Sequence, residues 1–420
     1  MKFLVIPLIS LGILTTSCKH NMDKKEVNSI EKTLETSPFH TYGEDLSFLK
    51  KHTEIIELSD ATGNSKVAIS PALQGRVMTT SSKGEKGRSY GWINRELFSA
   101  KDTLEHINVY GGEERFWLGP EGGQYSIFFK KGTDFTLENW YTPKLIDLES
   151  FDVEASSNHK VTFSKKATLT NYSGFKFDFN IEREIKILET PHVLKEFGLD
   201  AMPGINVVAY ETINSLTNIG DADWVKETGL LSIWLLGMFN PSPDTTIVIP
   251  YNSGEEATLG VPVNDDYFGK VPTERLIIKD DVIYFSGDGK FRSKIGLSPK
   301  RAKNVLGSYD ASSQTLTILK YNQPNAILDY VNSKWEFQKE PYLGDVVNSY
   351  NDGEPAPGEK PLGPFYELET SSPALNLKVG ERGTHIQMTC HFEGTLTELS
   401  KISKKVLGVS ISEIETAFKN

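Results

Sequence analysis

Hydrophobic and polar residues alternate along much of the chain, which is the pattern of β-strands with one buried face. In residues 174–188 every second position from Phe175 to Ile181 is apolar, and the positions between them are polar. Further strand-like runs are KVAISPALQGRVMTTSS, HINVYGG, YSIFFKK, KVTFSKKATLTNYS, VVAYETINSLTN, GLLSIWLLGMF, TTIVIPYN, RLIIKDDVIYFSG, QTLTILKYN, KWEFQKEPYL, PFYELETSS and THIQMTCHFEG. Gly, Asn, Asp and Pro separate them, which predicts an all-β, mainly antiparallel sandwich.

Helical patterns are few. The segment YGEDLSFLKKH near residue 45 and the segment at 395–408 have apolar residues near helical spacing. Ser410 and Glu413 form a capping-box pattern, which predicts a short helix after them. Residues 350–364 are rich in Gly and Pro and lie between two strand patterns, so we expect a long loop at the rim of the sandwich.

The N-terminus has the layout of a secretory signal, with Lys2 before an apolar run that ends at Leu14. The run is too short to span a bilayer as a helix. The letters LTTSC before and at Cys18 resemble the lipobox of bacterial lipoproteins, with a plain signal peptide as the alternative. We therefore expect a signal peptide at 1–17, lipidation at Cys18, a polar spacer at 18–40 and a single domain at 41–420. The predicted location is the cell envelope, on the periplasmic or surface face of a bacterial membrane.

The net charge and the motifs that are missing argue against several classes of function. The net charge of −11 over 420 residues argues against a nucleic-acid partner. The chain has no P-loop, dinucleotide fingerprint, CxxC or HExxH motif, so we expect no cofactor and no metal ion. Asp265, Asp266 and Asp288 could contribute to a cation site, but acidic turn residues are the simpler interpretation. Cys390, within an alternating run, is expected to be a buried small hydrophobic residue.

Four segments embed charged residues among aromatic ones: residues 109–126, 263–276, 335–353 and 363–394. Aromatic faces stack on the apolar face of a sugar ring, while carboxylate, guanidinium and amide groups bind its hydroxyls. This mixture predicts a carbohydrate partner, unless these are edge strands with ion-paired loops. The candidate binding residues are Arg115, Trp117, Glu121, Asp265, Tyr267, Arg275 and Asp345.

Glu367 and Glu369 are two residues apart in a strand pattern, so their side chains share one face. They are roughly 7 Å apart by strand rise, and their mutual repulsion can raise the pKa of one of them. Such a pair could supply the acid and the base of a hydrolase, a lyase or an epimerase. The alternative is that one carboxylate faces a pocket while a neighbouring arginine satisfies the other.

The segment FYELETSSPALN, which contains this pair, resembles the C-terminal catalytic strand of the aldose 1-epimerases, or galactose mutarotases. GRVMTTSS at 75–82 and YETINSLTNIGDADW are similar to an early strand and the central strand of that superfamily. The resemblance extends over about residues 40–420. We identify the chain as a member of an uncharacterised family of bacterial lipoproteins that resembles this superfamily, and the resemblance implies a β-supersandwich.

The resemblance implies that Glu369 is the general base on an anomeric hydroxyl and that Arg115 binds sugar hydroxyls. Where the superfamily has a histidine motif after its central strand, this chain has TGLLSIWLLGMFNP, with Trp234 near the expected place. Ring opening also needs an acid on the ring oxygen. His385 is a candidate for that acid, and a rim or core histidine is the alternative.

Two functions remain open at this point. The first is a lipid-anchored, monomeric enzyme of aldose epimerase type, and the second is a glycan-binding lipoprotein without catalysis. The missing histidine favours the second function, whereas the charged residues within strands favour the first.

Overall fold

The alternating pattern of the sequence corresponds to antiparallel strand pairs throughout the computed structural model, which describes residues 39–419. The strands are β1 (Ile56–Ser59), β2 (Lys66–Ser70), β3 (Arg76–Ser81), β4 (Arg115–Gly119), β5 (Asp152–Ser156), β6 (Lys160–Thr170), β7 (Lys176–Ile187), β8 (Asn206–Asn218), β9 (Ser232–Phe239), β10 (Thr245–Pro250), β11 (Leu276–Lys279), β12 (Val282–Ser286), β13 (Ser293–Leu297), β14 (Val305–Asp310), β15 (Thr315–Tyr321), β16 (Val347–Asn351), β17 (Tyr366–Ser371) and β18 (Arg382–Glu393). The predicted all-β, mainly antiparallel class is confirmed.

The strands form three sheets. A ten-stranded sheet has the order β11-β12-β10-β14-β15-β18-β8-β7-β6-β5, and a five-stranded sheet has the order β13-β16-β17-β9-β4. A small sheet of β1, β2 and β3 completes the set. In β7 the burial alternates residue by residue as predicted, with Phe177, Phe179 and Ile181 fully buried.

The ten-stranded and five-stranded sheets pack face to face. Leu368 of β17 and Ile295 of β13 share one hydrophobic cluster with Ile247 of β10 and Phe285 of β12. Polar contacts cross the same space, since Tyr366 is hydrogen-bonded to Ser308 at 2.8 Å. We call the face of the five-stranded sheet that meets the ten-stranded sheet its inner face, and the opposite face its outer face.

Helices are short and peripheral. They are α1 (Tyr42–His52), α2 (Arg95–Ser99), α3 (Lys144–Asp147), α4 (Thr190–Glu196), α5 (Glu256–Leu259), α6 (Leu396–Val406) and α7 (Ile411–Thr416). The predicted capping box of Ser410 and Glu413 begins α7. Helices α6 and α7 bury Leu399 and Ile414 in a cluster that also contains Cys390, which is fully buried as expected. No helix within residues 39–419 is long and apolar enough to cross a membrane.

Three strand predictions are wrong. HINVYGG and YSIFFKK fold into irregular segments, where Ile107 and Phe128 pack against the core without joining a ladder. KWEFQKEPYL also forms no strand, and Phe337 at its centre is 70% exposed. The loop predicted at 350–364 is confirmed for most of its length, between β16 and β17. The predicted signal peptide, the lipidated Cys18 and all but the last two residues of the predicted spacer lie outside the described residues.

Candidate functional site

Strand β17 places its two glutamates on the outer face of the five-stranded sheet. Leu368 between them points into the core, and period-2 alternation therefore turns Glu367 and Glu369 the other way. Glu369 pairs in register with Asn348 of β16, and Glu367 pairs with Tyr350. Both carboxylates are enclosed, with relative exposures of 0% for Glu369 and 5% for Glu367.

Glu367 is held by an arginine from the sheet edge. Arg115, the first residue of β4, lies with its Nη2 atom 2.5 Å from Oε1 of Glu367, and both side chains are buried. The guanidinium also lies 5.0 Å from the ring centre of Trp117, two residues further along the same face. The arginine-satisfied carboxylate that the sequence left as an alternative is therefore Glu367.

Glu369 is held through only one of its oxygens. Trp234 Nε1 and Lys294 Nζ both donate to Oε2 at 2.9 Å. The other oxygen, Oε1, is buried and accepts no hydrogen bond from an N–H or hydroxyl donor in residues 39–419, while the carboxyl group of Glu367 lies within hydrogen-bonding range of Glu369. Leaving a buried polar atom unpaired costs free energy, so such an atom in a folded protein requires an explanation.

The two carboxyl groups differ electrostatically. Burial raises the pKa of Glu367 to about 8, with the charge of Glu369 adding to the effect and Arg115 and Lys294 opposing it. At neutral pH Glu367 is therefore mainly protonated. A carboxylic acid thus lies beside a second carboxyl group that accepts hydrogen bonds from Trp234 and Lys294, and such a pair can serve general acid–base chemistry.

A second group of polar residues lies beside Lys294. Tyr267 Oη donates to Oδ2 of Asp345 at 2.5 Å, and Asn348 Nδ2 donates to Tyr267 Oη at 3.1 Å. Burial raises the pKa of Asp345. Gly296 makes the approach possible, because a Cβ atom there would lie 2.3 Å from Asp345 Oδ2 and 2.7 Å from Tyr267 Oη.

Residues 331–344, which we call the covering segment, reach over Glu121. Trp335 Nε1 donates to Oε1 of Glu121 at 3.1 Å, and its ring stacks on Trp140 at 5.9 Å. Burial raises the pKa of Glu121, with Lys294 opposing the effect and Glu369 adding to it. Gly122 permits close contact, since a Cβ atom there would lie 2.5 Å from the carbonyl oxygen of Lys334. The covering segment and the loop after β4 thus enclose the carboxylate cluster from one side.

His385 is not on the outer face, so the structure does not bring it together with Glu369. Its Nε2 atom is hydrogen-bonded at 2.8 Å to the hydroxyl of Thr370, which follows Glu369 and therefore points to the inner face. Burial lowers the pKa of His385 to about 3, so the ring is neutral at physiological pH. His385 is therefore a buried core histidine, which was the alternative interpretation of this residue.

The predicted residues Asp265 and Arg275 are held by partners outside the carboxylate cluster. Asp265 pairs with Lys270 at 2.5 Å, and Arg275 pairs with Asp288 at 2.6 Å. Asp266 lies beside Lys334, with 3.9 Å between Lys334 Nζ and Asp266 Oδ1. The three aspartates considered for a cation site are therefore each beside a different basic residue, and residues 39–419 contain no group of three or more His, Cys, Asp or Glu side chains placed to hold a metal ion.

The structure adds residues that the sequence did not identify as ligand-binding. Lys294 is the most important, because it contacts Glu369 and lies 4.9 Å from the ring centre of Trp234 and 5.8 Å from that of Tyr267. Its strand, β13, has only five residues and was not among the predicted strands. The local pattern, with Lys294 between Ser293 and the apolar Ile295, does not indicate this contact. The sequence marks Trp234 only as the residue at the place of an expected histidine.

Comparison with known proteins finds a matching family model and similar solved structures. The sequence model of DUF6786, a family of unknown function, matches residues 40–418. An Escherichia coli K12 protein with a provisional assignment as an aldose 1-epimerase shares 13% identity over 81% of this chain and 99% of its own, with a TM-score of 0.46. A galactose mutarotase-like protein from Lactobacillus casei shares 12% identity over 81% of this chain and 100% of its own, also with a TM-score of 0.46. A search of curated proteins found no match.

Proposed function

Starting from the fact that the chain belongs to the DUF6786 family of unknown function, we propose that the outer face of its five-stranded sheet binds a carbohydrate. We propose further that Glu369 and Glu367 exchange protons with that sugar in an aldose epimerase-type reaction. The observation that carries the proposal is the buried Oε1 atom of Glu369, which accepts no hydrogen bond from an N–H or hydroxyl donor in residues 39–419. A hydroxyl group of a bound ligand would supply the missing donor.

The surroundings of Glu369 suit a neutral polyol. Trp117 and Trp234 meet edge to face, with ring centres 5.8 Å apart, and provide apolar surface beside the carboxylates. Each carboxylate already has a basic partner, Arg115 for Glu367 and Lys294 for Glu369. The cluster therefore offers hydrogen-bonding groups without a large excess of either charge, and an ionic ligand would have to displace an existing ion pair.

The proton transfers follow from the two environments. Glu369 Oε1 accepts the proton of the anomeric hydroxyl, while Trp234 and Lys294 hold Oε2 in place through their hydrogen bonds. The bond between the anomeric carbon and the ring oxygen breaks, and its electron pair goes to that oxygen. Glu367, protonated at neutral pH, donates its proton to the same oxygen. Reclosure from the other side of the carbonyl reverses both transfers and restores the two carboxyl groups.

Access to the site requires movement. Glu369 Oε1 is buried, so a sugar reaches it only when part of the enclosure opens. The covering segment is the best candidate, because its tip is exposed and its polar contacts with the loop after β4 are few: Trp335 with Glu121, Ser333 with the backbone of Glu121, and a reciprocal pair between Gln124 and Gln338.

A glycan-binding protein without catalysis is the second candidate function. The observation that favours it is the position of His385 on the inner face, which leaves the outer-face cluster without a histidine. The same pair of glutamates could also serve a hydrolase or a lyase, since both reactions use an acid and a base.

The test is anomer exchange of freshly dissolved hexoses and pentoses, followed by NMR with wild-type protein and with Glu369→Gln. The variant keeps the shape and the hydrogen bond from Trp234 but cannot take a proton, so turnover should fall by roughly 100-fold or more while binding survives. Wild-type protein that binds a sugar but accelerates no exchange supports the glycan-binding function. Wild-type protein that binds no sugar in the panel contradicts both candidates.

We also propose that the chain is an exported lipoprotein anchored through Cys18. The support is the sequence of residues 1–18, with its short apolar run and the letters LTTSC. Labelled palmitate should be incorporated into the wild-type chain and not into Cys18→Ser. Equal incorporation into both proteins contradicts the anchor.

A further inference from the structure

A cavity of about 400 Å³ lies at the edge of the sandwich, between the loops that follow β10, β13 and β15. We call it the edge cavity. None of its lining residues belongs to the outer-face cluster. The residues that line it include the polar or charged Asn252, Asn304, Gln323, Asn325, Lys300 and Lys303. A volume of this size is in the range of small-molecule sites.

The wall of the edge cavity is fixed by a buried arginine. Arg301 is 0% exposed and donates to the backbone carbonyl groups of Asn252, Gly254 and Gly260 at 2.5–3.1 Å. No carboxylate takes part in these bonds. Because this buried guanidinium donates only to loop carbonyl groups, it fixes the shape of the 252–260 loop. A site that is already formed before binding loses less conformational entropy when its ligand binds.

The side-chain amides of Gln323 and Asn252 are also fixed by hydrogen bonds to backbone carbonyl groups. Gln323 Nε2 donates to the carbonyl oxygen of Ala302 at 3.1 Å, and Asn252 Nδ2 donates to that of Lys300 at 3.1 Å. These bonds use donors of the two amides, while the side-chain oxygens remain available as acceptors for ligand hydroxyl groups. Tyr330, 2% exposed, also lines the cavity.

The charge of the edge cavity is opposite to that of the protein. Its lining contains two lysines and no carboxylate, in a chain with a net charge of −11. Lys300 Nζ donates once, to the carbonyl oxygen of Thr258 at 3.1 Å, so two of its three protons remain available. Lys303 Nζ lies 3.5 Å from Asp281, an exposed pair that contributes little.

From this geometry we propose that the edge cavity is a second carbohydrate site, and that it takes an acidic sugar, a uronic acid. The ammonium groups of Lys300 and Lys303 pair with the sugar carboxylate, and the amides of Asn252, Gln323 and their neighbours bind its hydroxyl groups. The outer-face site would not prefer such a ligand, because its basic residues are already paired with carboxylates.

Titration calorimetry with D-galacturonate and D-glucuronate tests the proposal, with D-galactose and D-glucose as neutral counterparts. Wild-type protein should bind at least one uronate about 10-fold more tightly than its neutral counterpart. The double variant Lys300→Gln/Lys303→Gln should lose that preference. A matched double variant on α6, Lys401→Gln/Lys404→Gln, removes two exposed lysines elsewhere and should keep it. Thermal unfolding of all proteins checks that they are folded.

Uronate binding by the variant Glu369→Gln distinguishes this proposal from the proposed function of the outer face. That variant should leave uronate binding within about 2-fold of wild type, whatever it does to anomer exchange. Absence of uronate binding to wild type, equal binding of acidic and neutral sugars, or uronate binding that depends on Glu369 and not on the two lysines would each overturn the edge-cavity proposal. None of these results bears on whether neutral sugars exchange at Glu369.

Discussion

Two clusters of buried charged residues lie on opposite faces of the five-stranded sheet, and they differ in how completely they are hydrogen-bonded. The inner cluster contains Glu113 and Glu114, which precede β4. Glu113 accepts from Thr80 with both oxygens and has His391 Nε2 3.0 Å from Oε2. Glu114 accepts from Arg183 at 2.9 Å through one oxygen and from Gln387 at 2.8 Å through the other. Every carboxylate oxygen of the inner cluster therefore has a partner.

The outer cluster begins at the next residue of the chain, Arg115, and is incomplete. Within the described residues, Oε1 of Glu369 accepts from no N–H or hydroxyl donor and the Nε atom of Arg115 has no acceptor, and both atoms are buried. Both clusters are enclosed by the fold, so burial does not distinguish them. Their carboxylate oxygens do: those of the inner cluster all have partners, although the hydroxyls of Tyr210 and Thr389 nearby do not, whereas Oε1 of Glu369 in the outer cluster accepts from no N–H or hydroxyl donor within residues 39–419. This difference is what we propose a ligand completes.

The largest effect should come from breaking the inner cluster. Arg183 and Glu114 form an ion pair in which both side chains are 0% exposed. Arg183→Met leaves Glu114 without its basic partner and should lower the free energy of unfolding by roughly 3–5 kcal/mol. Urea unfolding measures it. The matched control is Arg382→Met, which removes an exposed partner of Glu182 and should cost less than about 1 kcal/mol. Equal effects of the two variants would contradict the structural role of the inner cluster.

The next effect concerns pH. Because the pKa of Glu367 is raised from 4.5 to about 8 by burial, the folded protein keeps this proton over a range in which the unfolded chain loses it. Its contribution to stability is therefore full below pH 4.5 and is lost as the pH rises through 8. Glu367→Gln, which has no proton to lose, should decline less in stability between pH 5 and pH 8.5, by roughly 2–4 kcal/mol.

Urea unfolding at several pH values measures this difference. Glu182→Gln, on the exposed surface of β7, serves as the control and should follow the wild-type profile. A Glu367→Gln profile that is parallel to wild type would show that Glu367 is ionised throughout, and would exclude it as the acid.

The smallest effect separates neighbouring residues of β17. The hydroxyl of Thr370 is hydrogen-bonded to His385 at 2.8 Å and to Gln387 at 2.7 Å on the inner face, whereas the side chain of Glu369 is on the outer face. Thr370→Val should lower the free energy of unfolding by about 1–3 kcal/mol, because it leaves buried polar groups unpaired. It should not change the sugar affinity or the exchange rate of the folded protein. An equal loss of sugar binding in Thr370→Val and Glu369→Gln would mean that the two faces are not independent.

The sequence was informative where a pattern is local. Alternation predicted β7, and the spacing of Glu367 and Glu369 placed both on one face. The sequence could not predict the position of His385 relative to Glu369, because that position depends on β18 and β17 belonging to different sheets. The same alternation in residues 334–343 predicted a strand that does not form, since Trp335 instead stacks on Trp140 and bonds Glu121. Lys294 was missed because contacts between distant strands leave no local signal.

The claim that the outer cluster is kept incomplete for a ligand is tested most directly by a crystal structure with a sugar that binds in solution. We expect electron density for that sugar on the outer face, with a hydroxyl oxygen within about 3 Å of Glu369 Oε1 and the covering segment displaced or refolded over the ligand. A neutral sugar bound elsewhere, with Glu369 Oε1 still unpartnered, would contradict it.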